Sequence, residues 1–248
     1  MTNANQTANS NTQNTDPAEL QKFAAMAAKW WDTTGDMRPL HDINPLRLDW
    51  IAKHMPADAK TMLDVGCGGG LVAEGLAQRF PNAAVQGIDM ANKVLSVARL
   101  HALDTGVANV TYSNSTAEAW AEQHSTDATQ YDCVTALEML EHVPDPAAVV
   151  DACARMAKSG APVFFSTLNR NPLAYATAVL GAEYVLKLLP KGTHDYAKFI
   201  TPAELAAMCR AAGLEVDEIR GMEYNPWTHV AKWSPRPWVN YAVRSVKR

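Results

Sequence analysis

Apolar residues recur along this chain at two spacings, and the change from one to the other organises it. In PAELQKFAAMAAKWWD, Leu20, Phe23, Ala24, Ala27 and Trp31 share one helical face. Asp16 fits the N-cap ahead of it, and Pro17 suits a first turn, where a missing N–H costs nothing. NPLRLDWIAKHM predicts a second helix, entered near Pro45 and closed before Pro56. Short apolar runs then alternate with helical ones. TMLDVG, AAVQGIDM, NVTYSNS, YDCVTAL and APVFFSTL read as strands. LVAEGLAQRF, NKVLSVARLHALDTG, AEAWAEQH and a segment over 146–158 read as the helices after the first four of them. Such alternation predicts a parallel sheet with helices on both faces.

After the fifth strand the rhythm breaks. PLAYATAVLGAEYVLKLLPKGTHDYAKF lies in an insert over about 170–199. TPAELAAMCRAAG restores a helix, with Thr201 as N-cap, Pro202 at N1, Glu204 completing a capping box and Gly213 past the end. LEVDEIRGMEY and WVNYAVRSVK alternate in strand fashion and are expected to pair as a hairpin. The bend between them holds Pro226, Pro235 and Pro237. Residues 1–16 are mostly Asn, Thr, Gln, Ala and Ser and bury too little apolar surface to offset the entropy of ordering. The expected organisation is a disordered tail over 1–16 and one domain over 17–248.

Composition removes several function classes. A net charge of −4 gives no basic excess to neutralise phosphates, so nucleic acid is not expected as a partner. Cys67, Cys133, Cys153 and Cys209 are far apart, with no C-x-x-C pair. That pattern indicates neither a zinc site nor a disulfide framework and suits a reducing cytoplasm. No run reaches the roughly 18 apolar residues that cross a bilayer, and the N-terminus lacks a secretory pattern.

Two places carry chemistry. The first is LDVGCGGGL over 63–71, a strand that enters a glycine-rich turn and leaves as a helix. Glycines there let a ligand approach the backbone closely. Asp89 ends the second strand about 20 residues on, where a carboxylate accepts hydrogen bonds from ribose hydroxyls. A dinucleotide fingerprint would place glycines at 66, 68 and 71, but Leu71 occupies the last, which disfavours an NAD-dependent oxidoreductase. Asp64 before the loop is also awkward beside a pyrophosphate and harmless beside a zwitterion. The second place is LEMLEH. If it forms one helical turn, Glu138, Glu141 and His142 stand at i, i+3 and i+4 on one face at the mouth of the fourth strand. A solvated turn is the bland reading of such charge, and a catalytic or metal site is the sharp one.

The D-x-G-x-G-x-G loop resembles motif I of the class I S-adenosylmethionine-dependent methyltransferases. Taken with WWD, LHDINPLR, GIDM, LEMLEHVPDP, FFSTLNRN, GAEYVLKLLPKGTHDYAKFI and VNY, the chain from about Phe23 onward is similar to the ubiquinone-biosynthesis O-methyltransferase family. The resemblance implies an α/β fold: a Rossmann-like seven-stranded sheet with helices on both faces, ending in an antiparallel hairpin. N-terminal helices precede it, and the insert follows strand 5. It implies methyl transfer from S-adenosylmethionine to a phenolic hydroxyl of a polyprenyl catechol and later of a demethylubiquinol. It also implies that Arg47, Gly66, Gly68, Asp89 and Leu137 bind the donor. Glu138, Glu141 and His142 match the family positions that hold a divalent cation, Mg²⁺ or else Zn²⁺ or Mn²⁺, and are the expected catalytic and metal residues.

The chemistry gives such a cluster a purpose. A phenol with a pKa of about 10 is ionised in roughly one molecule per thousand at pH 7, a cost of about 4 kcal/mol. A Lewis acid lowers that cost. The rival is a metal-free route with His142 as general base. A polyprenyl acceptor lives in the bilayer, so the expected location is cytoplasmic with peripheral attachment to the inner membrane. The insert, with Leu173, Tyr175, Leu186, Leu189, Lys187 and Lys191, is read as a lid, an element lying on anionic lipid, or both. Association with a ubiquinone-biosynthesis protein complex is the further partner expected. Methylation of another small phenol and a non-catalytic lipid-binding scaffold stand as alternatives. Trp30 and Trp31 are read as packing for the first helix, and Tyr196 and Lys198 as surface residues.

Overall fold

The structure, a computed structural model, describes residues 14–56, 58–126, 128–175 and 196–248. Most of the tail and insert, including Leu186, Lys187, Leu189, Lys191, His194 and Asp195, lie outside the described residues.

Helix α1, Pro17–Met26, begins where Asp16 accepts the Ala18 N–H at 2.9 Å. Asn14 donates to Glu118 and to the Asp145 carbonyl, so the end of the stretch assigned to the tail is held in place. Helix α2, Arg38–His54, starts earlier than expected. Pro39 occupies its first turn and Pro45 lies inside it. The alternating core follows as β1 (Thr61–Val65), α3 (Leu71–Arg79), β2 (Ala84–Asp89), α4 (Asn92–Asp104), β3 (Val110–Asn114), α5 (Ala117–Gln123), β4 (Cys133–Leu137), α6 (Pro146–Met156) and β5 (Pro162–Leu168). Helix α7, Pro202–Ala211, carries the full Thr201–Glu204 capping box. Strands β6 (Leu214–Asn225), β7 (Val230–Ser234) and β8 (Asn240–Lys247) complete the sheet.

The strand order is β3-β2-β1-β4-β5-β8-β6-β7, with β1 to β5 parallel and β6 to β8 antiparallel to their neighbours. Among the described residues the sheet therefore has eight strands, the seven expected and one more. β6 and β8 pair as predicted, and the proline-bounded segment VAKWS adds β7 on the outer edge of β6. An edge position needs only one row of partners, which suits a short strand between prolines.

Successive strand residues point to opposite faces. Leu63, Val134 and Phe165 pack with α5, α6 and α7, whereas Met62, Cys133 and Phe164 pack with α2, α3 and α4. All four cysteines are buried thiols. From β1 the chain crosses to β2 and β3, and from β4 it proceeds to β5 on the other side. The adjacent carboxyl ends of β1 and β4 thus form a topological switch point, where open α/β sheets leave a crevice for ligands.

Candidate active site

That crevice is occupied by a cavity of about 1160 Å³ including its open mouth. Its walls carry Arg47, Gly66, Gly68, Asp89, Leu137, Glu138 and His142, seven of the eight residues singled out in the sequence. Glu141 faces elsewhere.

The glycine loop is set by its neighbours. The Gly66 and Cys67 N–H groups donate to the Ile88 carbonyl, tying the loop to β2. Gly68 has φ +53°, and a Cβ there would stand 2.3 Å from the Trp30 ring. Trp30 therefore packs the first helix, as expected, and also forms a wall over the loop. Trp31 donates its indole N–H to the Gly69 carbonyl and stacks on His101. Asp89 accepts the Gly68 N–H at 3.0 Å and the Ala91 N–H at 2.7 Å. Burial raises its pKa and those N–H groups work against the rise. Each carboxylate oxygen retains a further acceptor site for a ribose hydroxyl.

Behind the loop lie two buried ionic groups. Asp64 is 2 % exposed and accepts Thr135 Oγ1 at 2.6 Å through one oxygen. Burial pushes its carboxyl up to about 7. Arg47 is 4 % exposed, with Nη1 3.8 Å from Glu138 Oε1. Asp64 Oδ2 and Arg47 Nε are buried without a partner. Buried polar atoms left over on a cavity wall mark a place for ligand polar groups. A carboxylate beside a guanidinium suits the ammonium and carboxylate of an amino-acid moiety. Leu137, the last residue of β4, adds an apolar wall.

The segment after β4 departs from the sequence expectation. Glu138 has φ +55°, a left-handed conformation, and only a 3₁₀ turn, Leu140–His142, follows. Glu138, Glu141 and His142 therefore do not share one face of an α-helix. Their side chains turn to three different partners. Glu138 accepts Ser166 Oγ at 2.6 Å and the Asn240 side-chain amide at 2.9 and 3.1 Å. Glu141 turns into the interior, 4 % exposed, and accepts Thr167 Oγ1 at 2.7 Å. Burial, aided by the Glu138 charge and opposed by His142, raises its pKa. His142 Nδ1 lies 2.9 Å from Glu19 Oε2, and the Phe23 ring meets the imidazole edge-on at 5.0 Å. Among the described residues, no three His, Cys, Asp or Glu side chains stand together as a metal-holding set. As arranged, the expected Mg²⁺ ligands do not fit a common ion, because each is committed elsewhere.

Three contributors were missed in the sequence. Glu19 is an acid in the first turn of α1, and nothing in its local sequence marks it. Ser166 and Asn240 lay inside the FFSTLNRN and VNY motifs with no role assigned. Their meaning rests on register: Ser166 pairs with Ala242 and Leu168 with Asn240 across β5 and β8. Lys198 is not merely a surface residue, since it binds Asp16 at 2.8 Å and joins the far side of the insert to α1.

Residues 40–219 match a family model described as a methyltransferase domain. The chain is 55% identical to the ubiquinone biosynthesis O-methyltransferase of Aromatoleum aromaticum, covering 94% of this chain and 97% of that protein. It is 56% identical to the enzyme of the same name from an Azoarcus species, covering 94% and 98%. The chain belongs to the ubiquinone biosynthesis O-methyltransferases. Solved methyltransferase structures share the fold of this O-methyltransferase. The magnesium protoporphyrin IX methyltransferase of Synechocystis superposes with a TM-score of 0.60 at 17% identity, over 86% of this chain and 85% of that one. A Thermotoga maritima S-adenosylmethionine-dependent methyltransferase, described as a possible histamine N-methyltransferase, gives 0.60 at 16% identity over 93% and 99%. In this O-methyltransferase the glycine loop, Asp89 and the Arg47–Asp64 pair line one wall of the crevice.

Proposed function

We propose that the protein methylates a phenolic hydroxyl of a polyprenyl-substituted catechol and, later in the same pathway, of a demethylubiquinol-type hydroquinone. The observation that carries this reading is a single cavity joining the donor cradle of Gly66, Gly68 and Asp89 to Glu138 and His142. A phenol needs a proton acceptor beside the methyl donor, and a lining that includes both the glycine loop and His142 supports that reading. When bound, S-adenosylmethionine supplies the methyl group, and its sulfur leaves with the bonding electron pair. His142 takes the phenolic proton at Nε2 as general base. Burial lowers the proton affinity of this imidazole, and the Glu19 hydrogen bond with the nearby carboxylates raises it further in the other direction, so the group is a stronger acceptor than usual. Glu138, held by Ser166 and Asn240, lines the same cavity and accepts the hydroxyl vicinal to the reacting one.

No step is assigned to a divalent cation, since its three expected ligands face three partners. Exhaustive EDTA treatment is expected to leave turnover intact. Loss of turnover with recovery on Mg²⁺ addition would instead mean that those side chains converge on an ion, and would remove His142 from the proton-acceptor role.

Peripheral contact with an anionic inner-membrane surface is the companion proposal. Strands β5 and β6 end, and β8 begins, at the same end of the sheet; Leu173 and Tyr175 follow β5, Trp227 follows β6 and Trp238 precedes β8, and all four are exposed. Exposed tryptophans and tyrosines suit a bilayer interface. No described helix is long and apolar enough to cross a membrane.

The test is mass-spectrometric. Purified protein with S-adenosylmethionine and a polyprenyl catechol in anionic vesicles is expected to yield the monomethyl ether and S-adenosylhomocysteine. Calorimetry is expected to show binding of S-adenosylhomocysteine and none of NAD. Donor binding without methylation of any catechol would sink the acceptor assignment.

A further inference from the structure

Three glycines in a row, Gly68, Gly69 and Gly70, follow β1, and Gly68 and Gly70 have φ of +53° and +90°. Glycine takes either sign of φ and loses more freedom on ordering than any other residue. Such a turn does not fix the direction of its own central peptide group. The fold supplies the restraint. The Gly70 N–H donates to the Cys67 carbonyl at 3.0 Å, and the Gly69 carbonyl of the same peptide group accepts the Trp31 indole N–H at 3.0 Å. The peptide group is thus held at both ends, one of them by a residue 38 positions upstream.

Trp31 is itself braced. Its ring stacks on His101 with centroids 3.4 Å apart and planes 2° from parallel, and His41 meets it edge-on at 5.5 Å. His101 Nδ1 lies 2.8 Å from Glu74 Oε2, and Glu74 is 2 % exposed. Thr105 and Gln78 donate to its other oxygen at 2.9 and 3.3 Å. The backbone N–H of Glu74 binds the Gly70 carbonyl at 2.8 Å. The contacts therefore run from the glycine turn through Trp31, His101 and Glu74 and back to the turn. Gly68 lines the cavity, whereas Trp31, His101 and Glu74 stand outside it.

We propose that Trp31 is a positioning residue for the methyl donor: its indole, stacked on His101, fixes the Gly69 carbonyl and so holds the glycine turn in the conformation that receives S-adenosylmethionine. The proposal rests on the reading of Gly66, Gly68 and Asp89 as the donor cradle. A turn already in its binding conformation spares the ordering cost at binding. Without the indole N–H the donor must order the turn itself, while the complex once formed is the same. That is a loss of uniform binding, which raises KM and leaves kcat alone.

The experiment compares Trp31→Phe, His101→Ala and His124→Ala with wild type. Trp31→Phe keeps an aromatic ring for the stack and removes the N–H. His124 stacks on Trp120 at 4.1 Å at the end of α5 and serves as the control. Trp31→Phe is expected to weaken S-adenosylhomocysteine binding about three- to tenfold in calorimetry, within the range of one hydrogen bond, and to raise the KM for S-adenosylmethionine in step. Its kcat at saturating donor and its KM for the catechol should stay within about twofold of wild type. Amide exchange at Gly70, followed by NMR, is expected to quicken at least fivefold in the ligand-free variant and to return toward wild type with S-adenosylhomocysteine bound. His101→Ala, which removes the stacking partner, should weaken donor binding at least twofold with the same pattern, and His124→Ala should keep wild-type values throughout. If Trp31→Phe does not fold, His101→Ala decides by the same readouts. Unchanged donor affinity, unchanged Gly70 exchange, or an equal loss in His124→Ala would overturn the proposal. So would a kcat and a catechol KM that shift together with donor affinity, since Trp31 would then only anchor α1, whose Glu19 and Phe23 contact His142. Calorimetry and exchange need no acceptor, so both stand whatever phenol is methylated. Absence of S-adenosylhomocysteine binding by wild type would be failure of the donor reading itself and is seen before any variant is made.

Discussion

The two halves of the cavity are built from different materials. The half proposed for the donor is mostly backbone. The turn after β1 and the N–H groups that hold Asp89 all come from one strand–turn–helix–strand unit. The half proposed for the acceptor is mostly side chain, gathered from α1, the 3₁₀ turn, β5 and β8 through Glu19, His142, Ser166 and Asn240. A backbone cradle tolerates many side-chain changes but no added Cβ where the chain approaches closely. A side-chain cluster responds in the opposite way, losing function when one polar group is removed while its neighbours keep their places.

Substitutions in each half break that comparison if they act on the wrong step. The largest effect belongs to His142→Ala. Its kcat is expected to fall about 10²- to 10⁴-fold, the usual range for a general base. Calorimetric affinity for S-adenosylhomocysteine should stay near wild type, and a matching loss would merge the two halves. Next comes Gly68→Val. A β-branched residue at φ +53° adds about 1–2 kcal/mol of backbone strain, and its Cβ must displace Trp30. Donor affinity should weaken at least tenfold in titration calorimetry, since about 1.4 kcal/mol is a factor of ten.

Smaller effects sharpen the boundary. Ser166→Ala withdraws a donor from the half-buried Glu138 carboxylate, and a hydrogen bond to a charged group is worth about 1.5–3 kcal/mol. Steady-state assays should show kcat reduced with donor affinity intact. Thr201→Ala breaks the α7 capping box, away from the cavity. It should cost about 1 kcal/mol of stability. Calorimetric scanning should show Tm lower by about 2–4 °C, with neither kcat nor donor affinity altered.

The same division explains how far the residues could be read in advance. Asp89 and the glycine loop were legible because strand, turn and helix signals lie within a few tens of residues. The β1–β5 alternation and the α7 capping box were legible for the same reason. The acceptor half was only half legible. Glu138 and His142 stood out as titratable groups at a strand mouth. Their common helical face did not form, because Glu138 adopts φ +55° and sends the next residues off in a 3₁₀ turn. The spacing of carboxylates in a sequence specifies their directions only when the backbone between them is regular. Strand β7 escaped notice because an edge strand needs little apolar alternation of its own and lay between prolines.

Local pattern alone decided the class of fold and the location of the glycine loop and its acidic partner, because those depend on period, glycine placement and short spacing. Tertiary closure decided which side chains meet around the acceptor. Glu19 and His142 are 123 positions apart, and Ser166 and Asn240 meet Glu138 only through the antiparallel register of β5 with β8. No local periodicity encodes such encounters. They arise when burial of the sheet's two faces brings remote segments to the same crevice, and their hydrogen bonds then settle which way each functional group points.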